Sequence, residues 1–469
     1  MEQDELWQFG GIDGVKGGYA FPPVAPAALA DVALRKPEPT WVRGLIRLWR
    51  WWKQRDFLGP IAGVDPKRLD QAGWGVIFAS DADPALREAL SPLLAHRKAQ
   101  AGERYREFHG EDGVLPGETK REFLARHGVG PGPADPKLMP YYLLIVADVT
   151  RISLSFQYQL DVSYGVGRVH FSTLNDYEAY ANSVVAAETA ESASAHPRSR
   201  CHFFGVHHQQ DKPTIRAQKE MTGPLYDWLS RANDLDCHVT QASGRQASRR
   251  TLLELFRKPG GRPDLLFSVS HGLVFASGHE NQAAMQGGLV CGDYRHVADP
   301  LSREHLFLAE DLDRTCHPNG MMWFLFNCYG LGTPRENDYD LNSPPLAPRP
   351  FISALPQRLL SHPNGGALAV VGHVERAKVA SFSWPDAPAQ IATFRSTFQH
   401  LLEGYPVGYA MECFDRRFAE LTTELQAEID AVERGRPPKS ASLAFLWAAR
   451  IDARNYLVFG DPAVRLRPF

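Results

Sequence analysis

The chain has 469 residues and a formal net charge of -3 at pH 7, with 44% hydrophobic and 22% charged residues, the make-up of an ordinary globular protein. Such a charge excludes a dedicated nucleic-acid binder, and no apolar run approaches the roughly 20 residues that a membrane-spanning helix needs. The length calls for two or three domains or subdomains, and an acidic opening, Met1-Glu2-Gln3-Asp4-Glu5, without a basic and then apolar leader predicts a cytoplasmic protein.

The first 60 residues read as irregular, punctuated by Gly10-Gly11, Gly17-Gly18 and Pro22-Pro23. Residues 41–57 form a basic aromatic stretch containing Trp41, Trp49, Trp51 and Trp52. It reads as a helix docked on the protein's own surface, with a membrane or partner contact as the less favoured alternative. A strand at Trp74–Ala79 precedes the helix start Asp83-Pro84 and a polar helical stretch to about Glu107. Gly- and Pro-rich loops lead to a clear strand at Tyr141–Asp148, then loop and strand over Gln157–Val169, and a helix over Asn175–Glu188. The organisation predicted is an N-terminal region, 1–139, a first α/β segment, 140–200, ending in an exposed connector at 191–200, and a catalytic part, 201–469.

The third part starts with a strand, Cys201–Val206, followed by His207-His208 and helices over Ile215–Ala232 and Ser248–Phe256, with a short strand at Cys237–Gln241 between them. Two nearly continuous apolar runs come next. Leu265–Ser270 runs into His271-Gly272, and Met321–Phe326 runs into Asn327-Cys328-Tyr329-Gly330. Further on lie a buried strand around Ala367–His373, a helix over 411–434 with Phe414, Phe418, Leu421, Leu425, Ile429 and Val432 on one stripe, and a last strand, Tyr456–Gly460. Strands alternating with helices at these intervals predict an α/β protein with a mainly parallel sheet.

Runs of this kind suit strands covered on both faces, and ligands bind beyond the carboxyl ends of such strands. His271 and Cys328 would both stand there. Six scattered cysteines without a CxxC pair fit reduced thiols and give no zinc signature. Of the six, Cys328 has the setting of a nucleophile, activated by His271 as its base. The backbone amides of Gly272 and Cys328 are the candidate oxyanion-hole donors. No metal or other cofactor is expected, because His207-His208, His279-Glu280 and His296 lack ligand spacing.

The pattern strand-His-Gly followed by strand-Asn-Cys-Tyr-Gly resembles caspase-fold (clan CD) cysteine peptidases, in which the histidine lies some 50 residues before the cysteine. It is most similar to the gingipain-type branch, through Tyr141–Asp148 with Asp161, Tyr164 and Val166-Gly167-Arg168, through Pro363–Gly372, and through Phe459-Gly460-Asp461-Pro462. The resemblance covers roughly residues 140–469. It implies a caspase-like α/β/α sandwich with mainly parallel sheets in two subdomains. It also implies a cysteine endopeptidase that cleaves a protein or peptide through a thioester. The segments at 191–200 and 333–350, which read as flexible, suggest that an activating partner, a ligand or a cleavage event regulates it.

In members of that family an acidic residue orients the histidine from the strand that here ends in Gly205-Val206-His207-His208. An imidazole is no carboxylate, so His208 or a backbone carbonyl stands as the candidate for that task. Asp211 and Glu220 are the candidates for an acidic pocket selecting Arg or Lys, and Asp293 and Trp384 are further candidate walls of the cleft. The rival readings are a catalytically inactive caspase-fold scaffold or binding protein, and a membrane-recruited protein led by residues 41–57.

Overall fold

A computed structural model describes residues 6–36, 59–190 and 199–466, apart from positions 233, 259, 298 and 386. The basic aromatic stretch at 41–57 and most of the connector at 191–200 lie outside the described residues.

In chain order the strands are β1 (Ile12–Asp13), β2 (Trp74–Phe78), β3 (Tyr105–Phe108), β4 (Tyr142–Val146), β5 (Gly165–Val169), β6 (Ser199–Gly205), β7 (Cys237–Ser243) and β8 (Leu265–Val269). They continue with β9 (His271–Val274), β10 (Leu289–Val290), β11 (Leu306–Phe307), β12 (Met322–Phe326), β13 (Gly332–Thr333), β14 (Phe351–Ile352), β15 (Ala369–His373) and β16 (Tyr456–Gly460). Ten of them build one sheet in the order β3-β2-β4-β5-β16-β15-β12-β8-β6-β7. Pairing is parallel throughout except between β15 and β16. The sheet is therefore two parallel halves running in opposite directions and joined at one antiparallel seam.

This is the α/β class that the strand pattern predicts. Every residue of β2, β4, β5, β8, β12, β15 and β16 is buried, which is why these strands read as apolar runs rather than alternating ones. Residues 74–108 add β2 and β3 to the edge of the half begun by β4 and β5, so the N-terminal region shares the sheet.

On one face, Phe203, Phe267 and Phe324 of β6, β8 and β12 meet Phe394 and Phe398 of the helix Ala392–Leu402, with ring centroids 5.2–6.2 Å apart. Edge-to-face contacts of this kind add to the burial of large rings and lock the three strands in register. The helix Glu412–Glu433 buries Phe414, Phe418, Leu421, Leu425 and Ile429, the stripe visible in its sequence. It packs on Ser440–Arg454, which in turn receives Leu29, Ala30 and Ala33 of the helix Pro26–Arg35.

Three expectations need correction. The first 60 residues are not wholly irregular: Pro26–Arg35 is a helix with proline in its first turn, where a missing N–H costs nothing. Gln157–Asp161 belongs to a helix, Leu154–Asp161, capped by Ser153. The helix expected over Ile215–Ala232 is Lys212–Ala217, a π-turn at Gln218–Thr222, and Gly223–Arg231. Pro224, in the first turn of the last, cannot donate an intrahelical bond, which suits a break there. No helix among the described residues is long and apolar enough to cross a membrane.

Candidate active site

Parallel pairing of β6, β8 and β12 aligns Gly205 with Val269 and Val269 with Phe326, so the segments following the three strands leave the sheet at the same edge. The first carries Asp211, the second His271 and the third Cys328.

Asp211 is 2% exposed and accepts from His271 Nε2 at 2.9 Å. Its other donors are the Thr214 amide at 3.1 Å, the Thr214 hydroxyl and the Tyr19 hydroxyl. Burial alone would raise its pKa. The charge of His271 and the hydrogen bonds outweigh burial and hold the carboxyl well below the usual carboxylate range. An ionised carboxylate only accepts, so Nε2 of His271 carries a proton there and Nδ1 presents a lone pair when the ring is neutral.

Cys328 lies on the same side, its Sγ donating to the Ala377 carbonyl at 3.9 Å. A methyl placed on Gly10 would stand 3.5 Å from Cys328 Sγ and 3.5 Å from His271 Nδ1, so thiol and imidazole flank one point, and the backbone of Gly10 lies beside it. Cys328 is 3% exposed. Burial pushes its thiol up, and the charges of Lys378 and Arg376 pull the other way. Immediately after it, Tyr329 takes a left-handed conformation, φ 57°, rare for a residue with a side chain and typical of reactive turns. The Tyr329 amide is tied to the Glu375 carbonyl at 2.7 Å, and Asn327 Nδ2 donates to the Gly287 carbonyl at 2.8 Å. Gly272 sits so close that a Cβ on it would fall 1.9 Å from the Cys328 carbonyl oxygen, which is why no side chain is tolerated after His271.

Behind the pair lies a cavity of about 50 Å³. Its walls include Ala217, Val269, Phe326, Val379, Phe382 and Lys378, and no carboxylate is among the described residues that line it. The Nζ of Lys378 is buried with no hydrogen-bond partner among the described residues, and burial pushes its pKa well below the lysine value.

The structure corrects the assignments made around this pair. Asp211 does not line a pocket for a basic side chain, since its carboxylate is committed to His271, Thr214 and Tyr19. His208 does not hold the His271 nitrogens. Its Nδ1 bonds the Tyr294 carbonyl, its ring stacks on that of His271 with centroids 5.6 Å apart and planes 5° apart, and burial lowers its pKa to about 4, so it is neutral. Glu220 pairs with Arg216 at 3.0 Å away from the cavity. Asp293 is exposed and accepts from the Arg249 amide at 2.9 Å, capping a helix start. Trp384 packs edge-on to Phe445, with centroids 4.6 Å apart, and does not reach the cavity.

The task of Asp211 has a local signal in the sequence. Asp-Lys-Pro-Thr is a helix start, a carboxylate cap with proline in the first turn, so the side chain is fixed in direction. Tyr19 leaves no such signal, because it arrives from 192 residues upstream.

No family model matches the chain, and no curated protein matches its sequence. The solved structures that it resembles include gingipain R. The crystal structure of that Arg-specific cysteine proteinase superposes with a TM-score of 0.47 at 11% identity over 84% of this chain and 78% of that one. A complex of the pro- and mature domains of RgpB from Porphyromonas gingivalis gives 0.47 at 13% identity, covering 84% and 79%. A structure described as a protease gives 0.49 at 12%, covering 88% and 80%. These are likenesses of fold and assign no role to any residue.

Proposed function

We propose that the protein is a cysteine endopeptidase in which Cys328 is the nucleophile, His271 its base and acid, and Asp211 the group that orients His271. The observation that carries this reading is the imidazole of His271, bonded through Nε2 to a buried carboxylate at 2.9 Å while Nδ1 faces the same point as Cys328 Sγ. A thiol, a base and an orienting third group in that order are the parts that acyl transfer requires.

In this mechanism Nδ1 takes the thiol proton and the thiolate adds to the scissile carbonyl carbon. The resulting oxyanion collapses, the C–N bond breaks, and His271 returns the proton to the departing amine. Water, deprotonated by His271, then hydrolyses the thioester and regenerates the thiol. Asp211 stays ionised and stabilises the imidazolium formed in between, while the nearby charge of Arg376 favours the thiolate. The cavity walls, with a lysine and no carboxylate among the described residues, give no support to selection of Arg or Lys side chains.

A second reading, a binding protein that keeps this fold without catalysis, draws on the burial of Cys328 beneath residue 10. A mixed peptide library separates the two. The wild-type chain, and a Gly11→Val chain in which the covering segment is displaced, are incubated beside Cys328→Ala and His271→Ala versions of each. Cleavage that disappears with either substitution is the expected result. Cleavage that survives Cys328→Ala, or no cleavage by any chain, would sink the peptidase reading.

A further inference from the structure

The segment that covers Cys328 is a hairpin. The amide of Trp7 donates to the Val24 carbonyl and the Val24 amide to the Trp7 carbonyl, both at 2.9 Å; nearer the turn, Ala20 donates to Gly11 at 3.0 Å and Asp13 to Gly18 at 2.9 Å. Its first strand, β1, adds in parallel to the edge of β9, the strand that begins with His271, aligning Ile12 with Leu273 and Asp13 with Val274. The Gly14 amide extends this with a 2.9 Å bond to the Val274 carbonyl. Main-chain pairing of an extended segment to an open strand edge is a general way to bind peptide.

Side-chain recognition accompanies it. Phe9 is 3% exposed, with Lys378 Nζ 3.2 Å from its ring centroid, Arg376 at 5.6 Å and the Tyr339 ring at 5.2 Å. Arg376, held charged by its 2.6 Å pair with Glu375, lies within cation–π reach of this ring, so this is a built aromatic site. At the next position a Cβ would stand in ordinary contact, 3.5 Å from both Cys328 Sγ and His271 Nδ1, so this is the position that meets the reacting pair. At Gly11 the backbone has φ 109° and a Cβ would fall 2.8 Å from Val274 Cγ2, so the second position accepts nothing but glycine without rearrangement.

Resting on the peptidase reading, we propose that this cleft takes extended peptides in which an aromatic residue is followed two positions later by glycine at the reacting centre, and that Phe9-Gly10-Gly11 is a tethered copy of that ligand, occupying the cleft in the resting chain. The hairpin thereby limits access to Cys328, and an incoming substrate competes with it.

Occupancy is read by the rate at which iodoacetamide alkylates Cys328, followed by peptide mapping of the full-length protein, with buried Cys201, Cys291 and Cys316 as internal controls. Gly11→Val is expected to raise the Cys328 rate about tenfold or more, since a tethered occupant acts at high effective concentration, and to leave the three controls unchanged. The synthetic peptide Gln-Phe-Gly-Gly-Ile-Asp then slows alkylation of the Gly11→Val chain, and Gln-Phe-Val-Val-Ile-Asp does not. An unchanged Cys328 rate, or equal protection by the two peptides, overturns the proposal. Should all the cysteines of Gly11→Val react together, Phe9→Ala decides by the same criterion: a selective rise at Cys328 supports the proposal and no rise overturns it. Alkylation needs no turnover. Selective protection without cleavage of the library would fail the peptidase reading alone, and cleavage without selective protection would fail this proposal alone.

Discussion

Asn in place of Asp211 is expected to slow peptide hydrolysis by about a thousandfold or more while the chain stays folded. His271 Nε2 and both Thr214 donors share Oδ2, while Tyr19 meets Oδ1. The amide introduced by Asp211→Asn therefore keeps its oxygen on His271 and Thr214 and turns its NH2 toward the Tyr19 hydroxyl, which can accept. The imidazole proton stays on Nε2, but the negative charge beside the ring is gone, so the imidazolium that forms when Nδ1 takes the thiol proton loses its stabilisation and His271 is a weaker base. The loss falls on kcat, since the edge of β9 and the surroundings of Phe9 are untouched. Rates measured with the best library peptide, beside a urea unfolding curve for each chain, check this. A variant within about threefold of wild type in kcat would show that His271 does not depend on Asp211.

The second large effect is on stability, at Asp461 in the terminal Phe-Gly-Asp-Pro sequence. Asp461 is fully buried and accepts from Trp74 Nε1 at 2.9 Å, Arg97 Nε at 2.6 Å and the Ala463 amide at 3.0 Å. Arg97, 1% exposed, also pairs with Glu188 at 2.7 Å. The carboxylate therefore ties the end of β16 to β2 and to the helix Ser91–Ala101. Asp461→Ala leaves a guanidinium half paired and an indole N–H unpaired in the interior, a loss of about 3–5 kcal/mol. The urea unfolding midpoint should fall accordingly, with Asp461→Asn intermediate because it keeps an acceptor for the indole. A loss below about 1 kcal/mol for Asp461→Ala would mean that water replaces the carboxylate and that the network is not buried as described.

The terminal motif shows what a sequence discloses and what it withholds. Phe459-Gly460-Asp461-Pro462 is visible as a distinctive string, but its task, pairing an aspartate with an arginine 364 positions earlier, belongs to tertiary structure. The strands of the great sheet are legible because burial on both faces leaves uninterrupted apolar runs, and His271 and Cys328 are legible because each closes such a run. Asp211 stands out in the sequence, but with a different task. It lies past a turn in which Gln210 adopts φ 62°, and only the pairing of β6 with β8 brings it under His271. The short strands β9, β10 and β11 are two to four residues long, below the length at which alternation becomes a pattern. The hairpin at Trp7–Val24 is masked by the glycines that make it fit, since they read as punctuation. The helix Ser440–Arg454 escapes a sequence reading because it is apolar nearly all round, burying ten of its fifteen residues, and carries no stripe.

The central claim is that Cys328 forms an acyl bond with the help of His271. The most direct measurement is the intact mass of the Gly11→Val chain quenched in acid within seconds of mixing with an activated ester of acetyl-Phe-Gly-Gly. The account predicts one added acyl group, mapped to Cys328, absent from Cys328→Ala and strongly slowed in His271→Ala. Acylation of Cys328 at the same rate with and without His271, or acyl groups spread over the six cysteines, would contradict it.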